Sequence, residues 1–281
     1  MKRVIMALLL LVFLCGCAGE EPAAPTSETP VPSPQTTPIA TPQPTPTPIP
    51  TTTPSPEPTP TPLAIAAGKS MQRFDCEATG DYLDYWLTVP EGAVEGMPLL
   101  VFLHGDGNRA MPESLENNAI QRKIEEIYGE KAPFLTLMPN TRLYSWTEGS
   151  IDDTLIALVE HIAETYNSDR EKIMLTGHSR GAIGTWYFIS NYPETFSAAA
   201  PVSCGCDEPL DYTAMAQVPV WGFSGNIGQD GTHYLPAMER IAESINAAGG
   251  SAKIDVLAGC DHAAAESAAY TEELFNWLLS Q

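Results

Sequence analysis

Basic residues are scarce in this chain: 14 Lys and Arg stand against 35 Asp and Glu among 281 residues, a formal charge of −21. Such a surface excludes charge-driven binding of nucleic acid or of an anionic bilayer. Cysteine is sparse too, with six in all, and Cys204-Gly205-Cys206 lacks the Cys-x-x-Cys spacing of redox and zinc motifs. No second Cys/His cluster supplies the remaining ligands of a zinc site. Only five histidines are available for acid–base work. The apolar run Val4 to Leu14 falls short of the roughly 20 residues that a permanent membrane span needs.

What is present at the start is an export signal. Lys2 and Arg3 precede the apolar run, and small residues follow it. Leu14-Cys15-Gly16-Cys17 resembles a bacterial lipobox, which implies cleavage after residue 16 and acylation of Cys17. Two or more acyl chains hold a protein stably at a membrane. Residues 18–62 are almost entirely Pro, Thr, Ser, Ala and Glu, with Thr-Pro pairs repeated from Thr41 to Thr61. Nothing there builds a core to offset the entropy of ordering. Dense proline keeps such a stalk extended, with a reach on the order of 100 Å. Residues 1–16 therefore read as a lipoprotein signal peptide, 17–62 as a lipidated, disordered stalk, and 63–281 as one domain. The expected location is the outer face of a bacterial cell membrane. Cys76, Cys204, Cys206 and Cys260 remain for an oxidising compartment, with a bridge from Cys204 or Cys206 to Cys260 favoured.

Within the domain, short apolar runs alternate with helical patterns, which argues for a mainly parallel sheet covered by helices on both faces. Eight strands are expected: 73–78, 82–89, 98–103, 134–138, 172–175, 198–202, 218–223 and 252–257. The first two form an antiparallel pair joined through Gly80-Asp81. Pro98 to Leu103 is apolar almost throughout, as a central strand buried on both faces must be. Helices are expected over 151–166, 182–191, 234–247 and 270–279, the first opened by a capping box of Ser150 and Asp153. No insertion is long enough to form a large lid.

Gly177-His178-Ser179-Arg180-Gly181 follows an apolar strand and opens a helix, the context in which G-x-S-x-G exposes a serine at a tight strand-to-helix turn. Serine is a weak nucleophile until an adjacent base takes its proton. In this fold the order is serine, acid, histidine, and the base belongs in the loop after the last strand, where His262 stands. His233 reads as a loop or substrate-side residue. The acid belongs after the strand 218–223, where Asp230 is the first choice. Asp207 and Asp211, after the preceding strand, are its rivals. His104-Gly105-Asp106-Gly107 ends the central strand, and the backbone N–H groups of Asp106 and Arg180 are assigned to the oxyanion. The carboxylate of Asp106 is expected to turn away from that charge. Trp146 and His104 are assigned to substrate binding, with a packed loop anchor the equal alternative for Trp146 and a scaffold role within its motif the alternative for His104, while Trp186 reads as core.

The segments LLVFLHGDG, DREKIMLTGHSRGAIGTWYFISNYPETFSAAAPVSCG, PVWGFSGN and VLAGCDH resemble the secreted α/β-hydrolases grouped with feruloyl and acetyl-xylan esterases and polyhydroxybutyrate depolymerases. The chain departs from that group at Ala182, where a glycine is common, at Ser224, where a histidine is common, and in the spacing from Gly225 to Asp230. The resemblance implies a serine esterase acting through an acyl-enzyme, without metal or cofactor, on an ester substrate, polymeric carbohydrate included; a monomer is expected. Two alternatives stay open: a serine peptidase of the prolyl-oligopeptidase type, and a non-catalytic surface binding lipoprotein.

Overall fold

A computed structural model describes residues 66–281. The expected signal peptide, the lipidated Cys17 and the stalk lie outside the described residues. Eight strands form one sheet: β1 (Gly68–Cys76), β2 (Asp81–Val89), β3 (Leu99–Leu103), β4 (Leu135–Asn140), β5 (Ile173–His178), β6 (Ala198–Val202), β7 (Val220–Gly225) and β8 (Ala252–Leu257). Their order across the sheet is β1-β2-β4-β3-β5-β6-β7-β8. The β1–β2 and β2–β4 pairs are antiparallel and the other five pairs are parallel. β1 begins five residues earlier than its apolar pattern suggests, because backbone pairing with β2 extends to Gly68↔Val89 although its side chains there are exposed. Gly80, at φ +70°, makes the turn between these strands, a left-handed conformation that costs glycine little.

Among the described residues seven α-helices connect or follow the strands: α1 (Ala119–Tyr128), α2 (Ile151–Thr165), α3 (Arg180–Asn191), α4 (Tyr212–Met215), α5 (Leu235–Ala247), α6 (His262–Ala269) and α7 (Glu272–Leu279). β3 shows how they divide. Leu99, Val101 and Leu103 face a core built with Leu155, Leu158 and Val159 of α2, Trp186 and Ile189 of α3, and Met238 and Ile241 of α5. Leu100 and Phe102 face a second core with Ile120 and Ile124 of α1 and Leu274, Phe275 and Leu278 of α7. Alternation along one strand thus fills two layers, and β3 is buried along its whole length. Handedness explains the split. The chain steps one way across the sheet from β3 to β4 and the other way from β4 to β5 and onward, so right-handed crossovers put α1 opposite α2 and α3. That reversal opens a crevice at the carboxyl ends of β3 and β5, where such sheets place their ligands.

The capping box expected at α2 is absent. Ser150 has φ −107° and ψ 14° and makes no side-chain cap; its hydroxyl donates to Asp81 Oδ2 instead. Asp153 accepts from the Tyr192 hydroxyl at 3.0 Å. Cys76, Cys204, Cys206 and Cys260 are free thiols, so the expected bridge to Cys260 is not formed. Burial pushes the Cys204 thiol up to about 12 and the Cys206 thiol up to about 11, which leaves both protonated at neutral pH.

Leu175, fully buried on β5 directly below the G-x-S-x-G turn, tests the core. Leu175→Ala is expected to cost about 2–5 kcal/mol in chemical denaturation; a loss under about 1 kcal/mol would show that this layer is not close-packed.

Candidate active site

The site begins with three glycines that let β3, β5 and α3 approach each other. A Cβ on Gly177 would lie 2.4 Å from the Gly181 carbonyl oxygen, and one on Gly181 would lie 1.8 Å from that of Leu103. A Cβ on Gly105 would press on Ser179 Cβ at 3.3 Å. Held in this notch, Ser179 adopts φ 58° and ψ −116°, a conformation that costs a non-glycine residue about 1–3 kcal/mol. Its N–H donates to the Val202 carbonyl, and its own carbonyl accepts from Ala182 and Ile183 at the start of α3. The side chain is left at the carboxyl edge of the sheet.

Ser179 Oγ lies 2.9 Å from His262 Nε2. His262 Nδ1 lies 2.8 Å from Asp230 Oδ1. His262 is the first residue of α6, placed by the loop after β8, and Asp261 caps that helix by accepting from Ala264 N–H. Asp230 opens a one-turn π-helix, Asp230–Tyr234, and is fully buried. Its second oxygen accepts from Ser203 Oγ at 2.5 Å and from Gly225 N–H at 3.1 Å. The rival carboxylates do other work: Asp211 caps α4, and Asp207 is exposed. His233 is exposed and pairs with Thr232 Oγ1. Ser203 went unnoticed in the sequence, because a serine after a strand carries no motif. It sits at φ 56°, held by its N–H to Phe223 O, with its hydroxyl on the acid.

The cleft above Ser179 measures about 340 Å³ and is lined by Gly105–Asn108, His178, Ser179, His262 and Glu266. A larger cleft of about 480 Å³, around Lys69, Thr88, Gln121 and Glu125, lies away from this chemistry. The N–H groups of Asp106 and Arg180 donate to no described residue, so both are free to receive an anion. The Asp106 carboxylate does turn aside, accepting from Arg109 Nε at 3.1 Å and pairing with Arg180 Nε at 3.2 Å. The Arg180 guanidinium also donates to the Tyr144 carbonyl and stacks 3.1 Å above its ring.

Two assignments are corrected. Trp146 is buried rather than open to substrate: its indole N–H donates to the His104 carbonyl at 3.0 Å, and it packs against Gly184. His104 is buried as well. Its Nδ1–H donates to Gly105 O, so Nε2 accepts from Thr141 N–H and the Asn140 amide. It braces the loop from beneath. His178 does the same on the other side, donating Nε2–H to the His262 carbonyl. Burial pulls both histidines down to about 4.

A Ser–His–Asp relay on a mainly parallel, helix-covered sheet, with the serine at a strand-to-helix turn, defines an α/β-hydrolase. The model of the Dienelactone hydrolase family matches residues 124–273, more than half of the chain, and the chain belongs to that family. A probable acetylxylan esterase A of Neosartorya fischeri is 34% identical over 85 residues, which cover 28% of this chain and 22% of that protein. An acetylxylan esterase of Coprinopsis cinerea is 31% identical over 124 residues, covering 40% and 32%. The chain thus spans under a third of the length of either relative. Among solved structures, a thermostable esterase aligns at TM-score 0.63 with 24% identity, over 76% of this chain and 63% of that one. The feruloyl esterase module from Clostridium thermocellum, complexed with sinapinate, aligns at 0.56 with 13% identity, over 74% and 87%. At these identities the structural likeness establishes the fold.

Two measurements check this geometry. In the unfolded chain His104 and His178 take protons near pH 6.5, whereas the folded protein resists until about pH 4. Stability is therefore whole above pH 6.5 and lost as pH falls towards 4, by up to about 3 kcal/mol per histidine. A melting temperature unchanged across that window would show that these rings are not buried neutral. Ser203→Ala is expected to lower kcat at least about tenfold on an ester the protein turns over, with KM little changed, because the acid loses a partner made before substrate arrives. A rise in KM alone would contradict that.

Proposed function

We propose that the chain is a serine carboxylic-ester hydrolase that acts through an acyl-enzyme. The observation that carries this reading is the continuous line Ser179 Oγ–His262 Nε2 and His262 Nδ1–Asp230 Oδ1, at 2.9 and 2.8 Å. His262 takes the hydroxyl proton as Ser179 attacks the ester carbonyl, and Asp230 stabilises the imidazolium that results. The carbonyl oxygen, now an anion, receives the N–H groups of Asp106 and Arg180. Collapse expels the alcohol, which takes the proton from His262. Water, activated by the same imidazole, then releases the acid and restores the serine. No other charge is asked to move.

The family and the acetylxylan esterase relatives support ester substrates, and the acetyl ester of a plant polysaccharide is the substrate class we favour. The cleft over Ser179, open among the described residues, suits an ester borne on a large molecule. The amino-terminal sequence adds the setting: acylation at Cys17, a Pro/Thr stalk over residues 18–62, and a monomeric catalytic domain held outside the cell.

Rapid mixing with p-nitrophenyl acetate is expected to give a burst of nitrophenol equivalent to the enzyme present. Ser179→Ala should abolish it, and Asp230→Asn should lower kcat by about 10⁴. Peptide amides should be turned over far more slowly than the ester or methyl ferulate; faster cleavage of amides would assign the protein to the peptidases. Absence of both burst and turnover in the folded wild type would overturn the proposal. Cys17→Ser should move the exported protein from the detergent phase to the aqueous phase; wild type that already partitions to water would remove the anchor.

A further inference from the structure

Glu266 is a group the relay does not use. It stands on α6 one turn after His262, and its side chain lines the same cleft as Ser179 and the Gly105–Asn108 loop. About three quarters of the side chain is shielded from solvent. The polar group facing it is His178 Nδ1 at 3.8 Å, which cannot donate, because the proton of that ring sits on Nε2 and goes to the His262 carbonyl. Glu266 is thus left with acceptors that no described side chain fills. Burial raises its carboxyl, opposed by the charges of Arg122 and His262. Arg122, on α1, is engaged with the Asn117 carbonyl and does not line the cleft.

Apart from the backbone N–H groups beside Ser179, the cleft offers an anion little compensation: no Lys or Arg lines it, and its carboxylates are Asp106 and Glu266. Arg109 and Arg180 are not among the lining residues, and both pair with the one carboxylate of Asp106. A carboxylate on the substrate that comes to lie beside Glu266 therefore meets a like charge with no Lys or Arg in the lining to offset it. A hydroxyl meets an unfilled acceptor.

Resting on the ester-hydrolase reading above, we propose that Glu266 is a specificity-determining residue that accepts hydrogen bonds from hydroxyl groups of an uncharged, sugar-like substrate and excludes esters carrying a nearby carboxylate. The class of substrate is an acyl ester of a neutral polyol; esters of uronic acids are rejected.

The test compares acetylated methyl glucoside with acetylated methyl glucuronoside, which differ by a hydroxymethyl group against a carboxylate. The wild type should favour the glucoside at least about tenfold in kcat/KM. Glu266→Gln should reduce that ratio below about threefold, mainly by lowering KM for the uronate, and Glu266→Lys should invert it. A ratio that stays within about twofold of wild type in both variants, each folded by circular dichroism and active on p-nitrophenyl acetate, overturns the role of Glu266 alone. Wild type that turns over none of the three esters overturns the hydrolase reading, and this proposal with it.

Discussion

The structure depends on how closely the start of α3 approaches the end of β3. At Gly181 the backbone of α3 comes so near the Leu103 carbonyl that no side chain fits between them. That contact drives the turn at residues 177–181 into the conformation that holds Ser179 at positive φ. The strain is local and is opposed by burial on both faces of β3 and β5. A larger residue at Gly181 displaces α3 or the turn, and in either case the hydroxyl leaves the imidazole. Packing and chemistry meet at one atom that is missing.

Electrostatics does the second part of the positioning. Asp230 is buried, and a buried carboxylate persists only if its lone pairs are met. Ser203, Gly225 and His262 meet them from three different strand ends. These partners fix the acid before any substrate is present, so the imidazole has one orientation available. The neutral histidines beneath, His104 and His178, act as hydrogen-bonded braces, each with a tautomer set by the carbonyl it donates to. The loop of Asp106 is held in turn by two guanidinium groups. Glu266, in the same cleft, accepts a hydrogen bond from no described side chain.

Much of this was legible because periodicity and punctuation coincide. Eight apolar runs predicted eight strands, and the parallel part of the sheet follows the runs closely. β1 was misjudged in length because an edge strand can pair its backbone without burying its side chains. Helices α1 and α6 were not anticipated, although Asn118 and Asp261 each cap one through the N–H three residues on. Ser179, Asp230 and His262 could be chosen from motif and chain order, since each lies at the end of a parallel strand. Trp146 and His104 were misassigned because sequence places them near the loop without saying on which side of the backbone they fall. Ser203 and Glu266 had no local signal; only the fold brings them to the relay.

The central claim, that Ser179 is a nucleophile activated by its own folded surroundings, is tested most directly by covalent trapping. A fluorophosphonate probe should react with the native protein and be recovered by mass spectrometry on the peptide containing Ser179. The same protein should be unreactive once unfolded in denaturant. Native protein that stays unlabelled, or a label recovered on any other serine, would contradict the account.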